Sequence, residues 1–168
     1  KVLFHSNQLS LRGTEVALYD YAHYNEELLG NQSLIAIPEQ GDNHPYVKKK
    51  FEKRFKVHYY ACHEELCQIA SANAVNVFYA IKAGKNDGIL IPGVKNCIHA
   101  VFKHHDPHGD VYAYVSKWLS EEMSGGKRPY VPHMINLPVC GDTLREKLGI
   151  PDNAIVFGRY GGKETFDL

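Results

Sequence analysis

The side chains best suited to chemistry in this 168-residue chain are its histidines, its glycine-adjacent arginines and one cysteine–histidine pair. His99 stands inside an apolar run, Asn96-Cys97-Ile98-His99-Ala100-Val101-Phe102, close to the run's carboxyl end. An imidazole there can exchange a proton or bond a hydroxyl; the competing role is a core histidine bonded to backbone. His104, His105 and His108, with Asp106 and Asp110, are metal-ligand types, but the order His-His-Asp-Pro-His-Gly-Asp matches no motif of defined geometry. Pro107 and Gly109 mark a turn, so a solvated polar loop is expected and no metal. Cys62-His63 with Cys67 lacks two further ligands at zinc-finger spacing, which leaves structural thiols.

Arg12-Gly13 precedes a helical pattern, and Gly158-Arg159-Tyr160-Gly161-Gly162 follows an apolar run. Glycine lets a backbone approach a phosphate, and arginine meets it with paired N–H donors. The plainer reading is a tight turn with a solvated arginine at the first place and a loose tail at the second.

These residues need elements to place them, and the chain alternates short apolar runs with helical patterns, the signature of an α/β parallel sheet. Strands are expected at residues 2–4, 33–37, 57–60, 76–81, 96–102, 111–115 and 130–135. Helices are expected from Gly13 to a stop at Gly30, over 46–55, over 64–74 and over 117–123. Thr14 is the expected cap of the first helix, with Glu15 favourable against its dipole, and Ser116 the expected cap of the last. In such sheets the functional loops follow the strands' carboxyl ends.

The final residues change character. Residues 142–148 read as a short charged helix closed by Gly149, and Pro151-Asp152-Asn153 as a turn. Ala154-Ile155-Val156-Phe157 then reads as a fresh buried strand. The expected division is a Rossmann-like sheet domain over 1–138, a linker over 139–153 and the start of a second α/β domain over 154–168.

Composition narrows the classes. Lysine plus arginine equals aspartate plus glutamate at 19 each, which gives no support for a nucleic-acid partner. No apolar run is long enough to span a bilayer, and the first residues lack the apolar core of a signal peptide. The four cysteines fall at irregular spacings, which suits reduced thiols and a cytoplasmic location. Lys48-Lys49-Lys50 with Lys53-Arg54 makes a basic helix face whose default is solvation. Contact with anionic lipid is the lesser reading, and Phe51 and Phe55 suit the core equally.

Thr143-Leu144-Arg145-Glu146-Lys147-Leu148-Gly149-Ile150-Pro151, followed by a strand that ends in Gly158-Arg159, resembles the inter-domain join of GT-B glycosyltransferases, above all the retaining family-four group. The amino end resembles the same family. There a Gly-Gly-x-Glu loop opens the first helix, and the match here is Arg12-Gly13-Thr14-Glu15, with arginine in place of the first glycine.

The resemblance implies a Rossmann-like parallel sheet with helices on both faces, forming the amino-terminal, acceptor-side domain of a retaining hexosyltransferase. Its donor would be a nucleotide sugar and its acceptor a carbohydrate, lipid-linked or protein hydroxyl, with no cofactor. By the same resemblance Arg12, Gly13 and Thr14 face the acceptor cleft and His99 contacts the transferred sugar. Gly158, Arg159 and Lys163 hold the donor diphosphate, although the family's lysine stands one residue further from the arginine than Lys163 does. The family's glutamate pair falls beyond residue 168, so these residues alone are expected to be inert. Two other readings compete. A nicotinamide enzyme would need Gly-x-Gly-x-x-Gly after the first strand, where Ser6-Asn7-Gln8-Leu9-Ser10 stands. A non-catalytic, flavodoxin-like binding or assembly domain fits the strand pattern and leaves the join unexplained.

Overall fold

The computed structural model describes residues 1–134 and 144–157, which belong to two compact units, Lys1–Met134 and Ile135–Leu168. In the first, the chain runs β1 (Val2–His5), α1 (Gly13–Glu27), β2 (Ser33–Pro38), α2 (Pro45–Arg54), β3 (Lys56–Tyr60), α3 (His63–Ala72), β4 (Val77–Lys82), β5 (Lys95–Ala100), β6 (Val111–Tyr114) and α4 (Lys117–Ser124). The strands form one six-stranded sheet in the order β3-β2-β1-β4-β5-β6, with every pairing parallel. This is the doubly wound Rossmann-like arrangement. A flavodoxin-like sheet would run 2-1-3-4-5, so that form of the binding-domain alternative is set aside.

Alternate residues of each strand feed two cores, because successive side chains point to opposite faces. Leu3, Leu34, Phe78, Ile98 and Tyr112 pack with Leu66 and Ala70 of α3 and Leu119 of α4. Phe4, Ile35, Ile37 and Ile81 pack with Ala17, Leu18 and Ala22 of α1 and with Val47 and Phe51 of α2. Burial on both faces explains why the strands read as continuous apolar runs rather than alternating ones. The connections from β4 to β5 and from β5 to β6 carry no helix. Gly84, at φ +112°, allows the first of these to close on the sheet, where its carbonyl accepts from the Tyr112 hydroxyl at 2.6 Å.

Several boundaries differ from expectation. The helix α1 is capped by Arg12, whose backbone is extended and whose side chain makes no capping bond, and Thr14 lies within the helix. Gly13 is already helical, so the helix starts two residues earlier than a threonine cap would allow. Ser116 caps α4 as expected, accepting from the Leu119 N–H at 3.1 Å. Residues 130–134 form no strand. Tyr130 makes a single parallel bridge to Tyr114, because a residue as rigid as Pro132 with no N–H cannot continue a ladder.

In the second unit, residues 145–149 are turns rather than a helix, and Gly149 adopts φ +63°. The expected turn is present: Ala154 N–H donates to the Pro151 carbonyl at 3.0 Å. Arg145 fastens it, with its guanidinium donating to the carbonyls of Pro151 at 2.8 Å and Ala154 at 3.0 Å. Residues 154–157 are not a buried strand. Ile155, Val156 and Phe157 are exposed, and no described strand pairs with them. An apolar run is buried only where a neighbouring strand or helix supplies the other side.

Candidate functional site

The strand order reverses between β1 and β4, and in open α/β sheets ligands bind beyond the carboxyl ends of the strands at such a switch. The loop leaving β1 is pinned from several sides. Leu9 is fully buried, and its N–H donates to the Asn43 side-chain oxygen at 2.7 Å. The His44 N–H donates back to the Leu9 carbonyl at 2.8 Å. Gly41 comes so close to Asn7 that an added Cβ would lie 2.8 Å from its carbonyl oxygen.

Glu15 holds the same loop from below. Its buried carboxylate accepts from the hydroxyls of Ser10 at 3.0 Å and Ser6 at 3.3 Å. Burial raises its pKa, while the two hydroxyls and the backbone amides of Glu15 and Arg12 oppose that rise. Glu15 stands three residues after the cap, the position from which a glutamate reaches back to the cap's own N–H. Above it, Arg12 and Gly13 are exposed and Thr14 is half-buried. Arg12 therefore sits at the mouth of the loop, with its side chain free of any bond among the described residues.

His99 lies on the α1 side of the sheet and is 1% exposed. Its Nδ1 is 2.8 Å from the Tyr79 hydroxyl, and its Nε2 has no partner. The partner of Nδ1 is thus a tyrosine side chain, and a backbone group, the Val131 carbonyl, also acts on the imidazole. Tyr21 packs on the ring at 5.4 Å between centroids and His133 at 6.5 Å. Burial pushes the His99 pKa down to about 4, His133 adds to this, and the Val131 carbonyl opposes it. The imidazole is neutral near pH 7. Among the described residues no hydrogen bond or ring contact joins His99 to Arg12, Gly13 or Thr14. Gly158, Arg159 and Lys163 lie outside the described residues.

A second polar group at the carboxyl edge was not anticipated from sequence. His5 is fully buried on the α3 side, with Nε2 2.7 Å from the Tyr60 hydroxyl and Nδ1 without a partner. Beside it the Lys82 ammonium, on a side chain only 1% exposed, pairs with Asp87 at 2.6 Å. Burial, helped by the Lys82 charge, pushes the His5 pKa down to about 3. Burial alone would raise the Asp87 carboxyl, but Lys82 and the Ile89 N–H outweigh it and hold it low. The available signal was the same as for His99: a histidine closing an apolar strand. Lys82 was hidden because strand β4 runs one residue further than its apolar run.

The histidine-rich loop divides into separate bonds. His105 Nδ1 meets the Tyr114 hydroxyl at 2.6 Å, and His108 Nδ1 meets the Asp106 carbonyl at 2.6 Å. Asp106 and Asp110 accept from the N–H groups of Asn86 and Asn96. Among the described residues no group of three or more His, Cys, Asp or Glu side chains is arranged to hold a metal ion. His63 is tied to the Leu90 carbonyl through Nε2 at 2.7 Å, the same nitrogen that lies 3.7 Å from the Cys67 sulfur. A nitrogen that donates to a carbonyl cannot also take a thiol proton.

Phe51 of α2 and Phe55 just after it are buried, and two of the lysines lie against rings: Lys48 over Tyr59 at 4.4 Å and Lys50 over Tyr19 at 4.1 Å. No described helix is long and apolar enough to cross a membrane. A depression of about 420 Å³, lined by Cys67, Ala70, Val75 and residues 91–94, lies at the amino edge of the sheet, away from the switch. No family model, curated protein or solved structure matches this chain.

Proposed function

We propose that this sheet domain is the acceptor-side half of a retaining glycosyltransferase of GT-B type, which transfers a sugar from a nucleotide-sugar donor to a hydroxyl. The observation that supports it most is the pairing of strand order with the first loop. A 3-2-1-4-5-6 parallel sheet carries, at its switch, a rigid loop that leaves Arg12 and Gly13 exposed at the start of α1. The Arg-Gly-Thr-Glu match to the family falls at that place, and its glutamate serves a legible purpose, holding Ser6 and Ser10.

In this reading the acceptor lies along the carboxyl edge, with Arg12, Gly13 and Thr14 on one side. His99, its Nδ1 fixed by Tyr79, offers Nε2 to a sugar hydroxyl. Gly158, Arg159 and Lys163 meet the donor diphosphate, whose leaving charge an arginine would stabilise. A nicotinamide cofactor fits less well, because Leu9 fills the first loop where close backbone approach to a pyrophosphate would need glycine.

The test is to incubate the complete protein with a panel of sugar nucleotides and follow nucleotide release. Turnover with at least one donor is expected, and Arg12→Ala should lower it about tenfold or more without changing the unfolding midpoint. Failure to bind or turn over any of the panel would overturn the proposal.

A further inference from the structure

The segment 129–133 crosses α1 and the end of β5 with few attachments. Tyr114 N–H donates to the Pro129 carbonyl at 2.9 Å, and Val131 N–H donates to the Tyr114 carbonyl at 2.8 Å. Past Val131, the one described hydrogen bond from residues 132–134 is that of the Tyr21 hydroxyl to the Pro132 carbonyl, at 2.7 Å. Tyr21 also stacks on His133 at 6.3 Å between ring centroids, and Pro132 and His133 are exposed. The segment is therefore held to the domain by β6 at one end, and at the other by the Tyr21 hydroxyl, which also reaches the Val131 carbonyl at 3.4 Å, and by the packing of Val131 and Met134 on the α1-side core.

Beneath this segment lies His99, buried, with no well-formed hydrogen bond on Nε2 and with the Val131 carbonyl of the segment close enough to act on the ring. An unsatisfied buried nitrogen is costly, and such atoms in folded proteins call for a reason. Here the covering is thin: Val131 is only half-buried, and the ring contacts to His99 come from Tyr21, Tyr79 and His133. Displacing residues 131–133 would uncover the imidazole edge that carries Nε2, while the Tyr79 bond keeps the ring in place.

We propose that residues 129–133 form a latch over His99, that the Tyr21 hydroxyl is its catch, and that release presents Nε2 to a hydroxyl of the bound saccharide. The last clause rests on the transferase reading; the latch itself does not. Tyr21 is a positioning residue: it touches the latch and the histidine's face rather than the sugar.

The experiment is residue-resolved labelling of the intact chain by diethyl pyrocarbonate, with each histidine peptide quantified by mass spectrometry. In Tyr21→Phe the ring contacts remain and the catch is lost. His99 labelling is expected to accelerate about threefold to tenfold, the population shift that one net hydrogen bond supports. His133 should label readily throughout, and His5 should stay protected. Tyr19→Phe, on the same helix but packed on Phe51 and Phe55, should match wild type. If Tyr21→Phe does not fold, Val131→Gly carries the same expectation from the latch side.

Unchanged His99 labelling would overturn the latch, and so would a rise that His5 shares, since that reports general loosening. Faster His99 labelling with no transfer by the complete protein would keep the latch and overturn the transferase reading. Transfer with unchanged labelling would do the reverse.

Discussion

His5 and His99 occupy matching places on opposite faces of one sheet. Each stands at or next to the carboxyl end of a strand, each is bonded to a tyrosine hydroxyl from another strand, and each keeps one ring nitrogen without a well-formed hydrogen bond. What separates them is the covering. His5 packs against Phe78 at 5.4 Å between ring centroids, within a core shared with α3, and the buried Lys82, paired with the partly exposed Asp87, stands beside it. His99 lies under a half-exposed segment caught by one hydroxyl. The same chemistry thus sits behind two kinds of wall: one whose opening requires disrupting a core, and one whose opening requires freeing a short segment from one hydroxyl and a few side-chain contacts.

Acidification tests the shared part of that comparison and carries the largest expected effect. Both folded-state pKa values lie below the usual histidine value, to about 3 for His5 and about 4 for His99. The unfolded chain therefore takes up protons first as the pH falls. The stabilisation is complete above about pH 6.5 and is lost as pH drops toward the folded values, roughly 2–3 kcal/mol from each histidine by pH 4.5. Urea unfolding at pH 7 and pH 4.5 measures it. The loss should be smaller in His5→Gln and in His99→Gln, and equal losses in wild type and both variants would break the comparison.

The ion pair sharpens the difference between the walls. Asp87→Ala leaves the Lys82 ammonium buried without its partner, a cost of about 2–3 kcal/mol after allowing for the partly exposed carboxylate. The double variant Lys82→Met with Asp87→Ala should recover most of that loss in the same urea titration. A single variant as stable as wild type would show that the pair does not seal the His5 side.

The tyrosines give the smallest effect. Tyr60→Phe and Tyr79→Phe each remove the hydroxyl bonded to a buried imidazole, so each should cost about 1–2 kcal/mol in thermal unfolding. Similar losses support the symmetry between the two sites; a loss confined to one would show that only that histidine depends on its hydroxyl.

Much of this architecture was legible in the sequence because parallel strands buried on both faces leave unmistakable apolar runs, as at Leu34-Ile35-Ala36-Ile37. Helix ends were legible where a side chain does the capping, as at Ser116. They were misread at Thr14, where glycine and the backbone of Arg12 start the helix instead. The run 154–157 shows the limit of hydropathy, which reports that a segment could be buried and not whether anything is there to bury it. His99 could be placed at a strand end from its neighbours in sequence. Its partners could not, because Tyr21, Tyr79 and His133 meet it only through the fold. His5 offered the same signal as His99 and was passed over, and Lys82 escaped because β4 runs one residue beyond its apolar run.

The lone bridge between Tyr114 and Tyr130 has a bearing on solubility. It occupies both the N–H and the carbonyl of Tyr114 on the outward side of β6, a strand that ends at that residue. A stray strand from another molecule finds that end of the rail already taken. The opposite margin, β3, is guarded differently, since it begins with the exposed charge of Lys56. Self-assembly into ribbons is thus discouraged at one margin by occupation and at the other by charge.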